Sequence, residues 1–125
     1  MKYTILKRKN PLNRLIEKYY LNARSAGTVD LDAICEEISH ASSLTRGDVT
    51  NVVMSFLDII PRHVKRGFTV KLGELGCMRL SINSEGSDSP EEVSIAKVKK
   101  VHLVFLPSTK FKKEIANTPL ELFAA

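Results

Sequence analysis

The sequence predicts an α+β fold: two helices, a three-stranded antiparallel sheet and a short closing helix. Three observations predict it. Asp30 and Thr45 each stand before an apolar stripe at helical spacing, in the position of an N-cap. At Gly67-Phe68 the apolar period falls from about 3.6 residues to about 2, so helix gives way to strand. Pro107-Ser108 ends the last alternating run and opens a segment with Phe111 and Ile115 one turn apart.

The chain opens on KYTILKRK, whose alternation and β-branched content predict a short strand ended by Asn10-Pro11. From Leu12 to Arg24 the pattern supports two readings. Leu12, Leu15, Ile16, Tyr19 and Tyr20 fall at helical spacing behind Pro11, a suitable first helical residue. KYYLNA reads equally as a strand, and periodicity does not choose between them.

Leu31, Ile34, Cys35, Ile38 and Ala41 mark one face of a helix that starts at Asp30. Thr45-Arg46-Gly47-Asp48 then resembles a capping box with aspartate in place of glutamate. Val49, Val52, Val53, Phe56, Leu57, Ile60 and Val64 follow as a broad stripe up to Gly67, and Pro61 should kink this helix late. The stripe is wider than one small sheet can cover, which points to burial against a second subunit.

Phe68, Val70 and Leu72, a turn at Gly73-Glu74-Leu75-Gly76, then Met78, Leu80 and Ile82 read as a β-hairpin. SINSEGSDSPEEVS, Ser81 to Ser94, comes next and holds four carboxylates, Glu85, Asp88, Glu91 and Glu92, with no lysine or arginine. Val93, Ile95, Val101, Leu103 and Phe105 are expected to form the returning strand, and TKFKKEIAN the last helix. TPLELFAA carries no structural signal. The expected organisation is an extension over 1–27, a domain over 28–117 and a tail over 118–125.

Composition narrows the functional classes. With 125 residues and 43% apolar content, one packed domain is expected. No apolar run approaches the roughly 18 residues of a membrane span, and the start lacks the apolar region of a signal peptide, so a cytoplasmic protein is expected. Cys35 and Cys77 read as two reduced, packed thiols. His40, His63 and His102 have no partner at metal or catalytic spacing, and neither a phosphate loop nor a Ser/His/Asp pattern is present. No enzyme, cofactor, membrane or small-molecule substrate is expected. The net charge of +5 instead favours a polyanion. The two helices invite a helix-turn-helix reading, but the second carries only Arg46 and Asn51 near its start, too few groups to read a groove. They are better read as a core or dimer surface.

LDAICEEIS, then LTRGDVTNVVMSFLDIIPRHVKRGFTVKLGELGCMRL, then VFLPSTKFKKEI, in that order and spacing, resemble the HU/IHF family of bacterial histone-like DNA-binding proteins. The resemblance covers about Thr28 to Asn117. The extension with its KNP resembles the HU-related subgroup of Bacteroidetes-type bacteria. The family implies an intertwined homodimer whose sheets form a saddle, with two β-ribbon arms that reach around DNA and wedge a proline between base pairs. In this sequence the acidic Ser81–Ser94 stretch occupies the arm, without the family's Arg-Asn-Pro tip. Of the family's Gly-Phe-Gly turn only Gly76 matches, and Ser108 stands where glycine is usual. Four carboxylates would be repelled by phosphates, so the wedge chemistry does not carry over.

What remains is the saddle. Arg79, Lys97, Lys99 and Lys100 are expected near the base of the arm strands, with Lys97 and Lys99 on one face and Lys100 on the other. Lys110, Lys112 and Lys113 lie at the start of the final helix, where free backbone N–H groups add to phosphate binding. With Gly76 they make the expected surface for non-specific double-stranded DNA, in a homodimeric, architectural, nucleoid-associated protein. The alternative is a dimeric structural or protein-interaction module on the same scaffold, with the acidic arm as its partner site.

Overall fold

A computed structural model describes residues 1–124. Its elements run β1 Lys2–Lys9, β2 Glu17–Arg24, α1 Leu31–His40, α2 Arg46–Lys65, β3 Val70–Lys71, β4 Gly76–Ser84, β5 Val98–Pro107, α3 Thr109–Ala116 and β6 Glu121–Leu122. The fold is α+β, with two three-stranded sheets, β2-β1-β6 and β3-β4-β5.

Both central helices start where their caps stand. The Asp30 carboxylate accepts from the Ala33 N–H at 2.9 Å, and the Thr45 hydroxyl from the Asp48 N–H at 3.2 Å. α2 runs on through Pro61 to Lys65 and closes at a glycine. The Gly67 N–H donates to Val64 O and the Phe68 N–H to His63 O, the paired bonds of a Schellman motif. Gly67, at φ 91°, supplies the left-handed turn.

The segment with two readings is a strand. β2 pairs antiparallel with β1 in unbroken register from Lys2↔Arg24 to Lys9↔Glu17. The ladder gives the β2 backbone its partners, and the tyrosines and Leu21 suit a pleated surface better than an isolated helix. The C-terminal tail is not featureless. β6 lies parallel to β1, Lys2↔Glu121 and Tyr3↔Leu122, so the two chain ends share one sheet.

In the second sheet β3 is only two residues long. Phe68 is committed to the helix end, and the Leu72 N–H donates to Gly76 O within the turn. β4 and β5 pair from Gly76↔Pro107 to Asn83↔Lys100 and then slip to Ser84↔Val98. The expected strand start at Val93 and Ile95 is corrected here. Val93 caps a short 3-10 turn, Pro90–Glu92, and Ile95 opens a second, Ile95–Lys97, because β4 has ended and Pro90 has no N–H to donate.

The sheet has one wholly apolar row of pairs. Met78, Leu80 and Ile82 stand opposite Phe105, Leu103 and Val101 on one face. α2 covers the near part of that face, and Leu57, Ile60, Val64, Met78 and Leu103 line an apolar cavity of about 270 Å³. Cys35 and Val49, each 1% exposed, anchor the contact of α1 with α2. Beyond these the apolar surface is open: only Cys35, Val49 and Val64 are buried hydrophobics among the described residues. No helix among the described residues is long and apolar enough to cross a membrane.

Candidate nucleic-acid interface

The opposite face of the second sheet is mixed, with Cys77, Val104 and Leu106 among its charged and polar residues. Arg79 on β4 stands opposite Val104, and Lys100 on β5 stands opposite Asn83, so both point away from α2. They are separated by four residues of β4, roughly 13 Å. Lys71 on β3 pairs with Cys77 and so shares the face of Arg79. The sequence reasoning missed Lys71, although it occupies the outward position of the Val70-Leu72 alternation that was read.

Lys97 and Lys99 do not obey strand alternation. Lys97 ends a 3-10 turn, and its ammonium donates to the Ser87 hydroxyl at 2.6 Å, folded back on the arm. Lys99 is the unmatched residue where the register slips, a β-bulge. The bulge turns an exposed cation at the root of the acidic segment, where ideal pleating would have set it opposite Lys100. The segment itself begins with one further backbone bond, Glu85 N–H to Lys97 O at 2.9 Å. Glu85, Asp88, Glu91 and Glu92 are exposed, and none is ion-paired among the described residues.

Lys110, Lys112 and Lys113 lie on α3 at the other end of the ladder. Seven pairing steps, roughly 24 Å, separate the Gly76↔Pro107 end from Lys100, so one protomer carries two cationic groups rather than one. α3 is tied to the Gly73–Gly76 turn. The Ser108 hydroxyl caps Phe111 N–H at 3.1 Å and donates to Glu74 O, and the Ser108 N–H donates to Leu75 O at 3.1 Å. Lys110 is held by the Glu74 carboxylate at 2.6 Å, an exposed pair that dilutes its charge toward any phosphate. Lys112 and Lys113 are exposed. Serine where the resemblance implies glycine thus has a local cause: it is the N-cap of α3. Ser108→Ala should lower the melting temperature by roughly 3–6 °C, from the loss of about 1 kcal/mol of capping. An unchanged thermal unfolding curve would contradict that.

Gly76 has a packing reason of its own. It is buried at φ 144°, and a Cβ there would meet Leu106 O at 2.3 Å and Pro107 Cα at 2.8 Å. Only glycine lets the turn close against β5. No group of three or more metal-ligating side chains occurs among the described residues.

A family model for an HU domain fused to wHTH, Ig, or glycine-rich motif, HU-HIG, matches residues 1–121. The chain belongs to the HU-HIG family. The match runs from the β1–β2 hairpin through the helices and the second sheet to the first residue of β6. Among solved structures, a candidate bacterial DNA-binding protein from Bacteroides vulgatus ATCC 8482 matches with a TM-score of 0.63 at 10% identity. The likeness covers 97% of this HU-HIG chain but 47% of the other, so the chain spans about half the length of that protein. At such identity the likeness is one of fold. No curated protein sequence matches.

Proposed function

We propose that this HU-HIG protein is a non-sequence-specific, architectural DNA-binding protein that works as a homodimer. One observation carries the reading: every cation on the strands β3 and β4 and the paired part of β5, namely Lys71, Arg79 and Lys100, stands on the sheet face away from α2, among Cys77, Ser81, Val104 and Leu106. Phosphates are what such a face recognises, since it offers spaced single charges and no amide or arginine cluster aimed at a base edge. Lys99, Lys112 and Lys113 extend the charge at its two ends, while Lys97 and Lys110 contribute less because each is engaged within the chain.

The homodimer is supported by what the protomer leaves uncovered. Val52, Phe56 and Ile59 on α2 are 62%, 49% and 43% exposed and line an open concavity of about 440 Å³ with Asn51 and Ser55. A second copy brings the same stripe to it, as a two-fold interface requires. A nucleoid location in the cytoplasm follows from this reading. The Bacteroides source of the fold relative and the Lys9-Asn10-Pro11 tip support the narrower placement among HU-related proteins of Bacteroidetes type.

A gel-shift titration of random duplexes of equal length at two salt concentrations tests the function. Affinities should agree within roughly a hundredfold, about 2.7 kcal/mol, and fall steeply with salt. A larger spread between sequences would sink the non-specific reading. No binding at low salt would favour the second reading, a dimeric interaction module. The observation on its side is the acidic arm, whose four exposed carboxylates are free of internal partners among the described residues.

A further inference from the structure

The β1–β2 hairpin has no task in the saddle, yet it is built like a binding element. Its register sets Lys2 opposite Arg24 and Arg8 opposite Lys18 on one face. Directly opposed like charges destabilise a two-stranded ladder. The hairpin's own carboxylate does not relieve them: Glu17 is on the other face, at 2.6 Å from Lys7 and 4.0 Å from Lys9. Glu121 stands beside Lys2, and the Arg24 guanidinium lies 3.6 Å from the centre of the Phe123 ring. Arg8 and Lys18 have no anionic partner among the described residues. With Lys9 and Tyr20 they line a concavity of about 400 Å³ that contains no carboxylate. Such a face is at its most stable with a polyanion on it.

The tip, Asn10 to Ile16, sets Leu12 and Leu15 around Asn13 and Arg14. The Asn10 side chain accepts from the Leu12 N–H at 2.9 Å and the Asn13 side chain from the Leu15 N–H at 3.1 Å. These two Asx turns sit inside the Asn10 N–H to Ile16 O bond of 2.9 Å and fix the loop. Leu12 and Leu15 are left 96% and 93% exposed. Apolar side chains on a fixed β-ribbon tip, behind a basic stem, are the wedges with which proteins unstack and kink DNA from the minor groove.

We propose that the β1–β2 hairpin is a second DNA-gripping ribbon: the Lys2, Arg8, Lys18 and Arg24 face lies along duplex phosphates, and Leu12 and Leu15 press between base pairs. The proposal rests on the DNA-binding reading of the chain but on none of the saddle residues, so the two can fail separately. Lys2 to Arg8 spans roughly 20 Å of strand, enough to follow several phosphates.

The test uses the full chain on an end-labelled random duplex of about 30 base pairs, with affinity followed over a salt series and end-to-end distance by fluorescence transfer. Arg8→Gln with Lys18→Gln should flatten the salt slope by about 1.8 and weaken binding about 60-fold near 0.1 M. Its melting temperature should hold or rise, because a like-charge pair has been removed, which a purely structural role would not give. Leu12→Ala with Leu15→Ala should keep the slope and abolish the shortening of the DNA.

A wild-type slope in the hairpin variant, with a flattened one in Arg79→Gln/Lys99→Gln/Lys100→Gln, overturns the ribbon and leaves the saddle standing. The reverse pattern overturns the saddle and leaves the ribbon. Unaltered DNA shape with both leucines gone, or loss of the dimer in that variant, overturns the wedge. Binding of the wild type to phosphatidylserine vesicles and not to duplex overturns the ribbon outright.

Discussion

In the proposed homodimer, Phe56→Asp should convert a particle of twice 14.0 kDa into a monomer that aggregates on concentration. Phe56 sits at the middle of the open α2 stripe and is 49% exposed in the protomer, so the charge is tolerable on a single chain. In a two-fold interface it is not. Each substitution appears twice, and each removes the burial of an aromatic side chain, about 1.5–3 kcal/mol, before the desolvation of a carboxylate is counted. The combined loss exceeds roughly 5 kcal/mol, a shift of more than a thousandfold in dissociation constant. Phe56→Asn separates volume from charge and should weaken the dimer less. Light scattering at micromolar concentration checks both. A wild-type protein that scatters as 14.0 kDa would remove the dimer, and an unaltered Phe56→Asp dimer would move the interface elsewhere.

What the sequence made legible was local. Asp30 and Thr45 fixed two helix starts, because a cap and its apolar stripe lie within one turn of each other, and Pro107-Ser108 marked the third. Alternation along β5 set Lys100 on the face opposite the one expected for Lys97 and Lys99. The features missed depend on pairing across the chain. β6 finds β1 across nearly the full length of the protein, and TPLELFAA alone holds no trace of that partner. The strand character of Glu17–Arg24 was decided by a ready ladder on β1 rather than by its own ambiguous period. The β-bulge at Lys99 exists only relative to Asn83 and Ser84, so the facing of that lysine could not be read from one strand. Lys110 is tied to a carboxylate 36 residues away, and no spacing rule anticipates that. Val93 and Ile95 were misassigned because alternating apolar residues look alike in a strand and along a pair of short 3-10 turns when no partner is in view.

The two charge clusters should act in opposite directions on DNA. Arg79→Gln with Lys99→Gln and Lys100→Gln should weaken binding equally for all sequences, since phosphates carry no sequence information. If each cation neutralises one phosphate, the salt slope falls by about 2.7, and affinity near 0.1 M drops about 500-fold. Glu91→Gln with Glu92→Gln should do the reverse. These carboxylates lie in a 3-10 turn of the same arm from which Lys99 and Lys100 rise, and they are exposed and unpaired among the described residues. Removing them lifts a repulsion and tightens binding at low salt. The gain should fade above about 0.2 M, where the screening length drops to several ångströms and exposed charges no longer reach the duplex. Both variants measured on one random duplex across a salt series decide between the two functional readings. If the arm is instead a protein-partner site, the glutamine changes at Glu91 and Glu92 leave DNA binding untouched. Two flat results would remove the saddle face as the phosphate surface, because no other reading of Arg79, Lys99 and Lys100 allows three cations to vanish from a DNA contact without a change in slope.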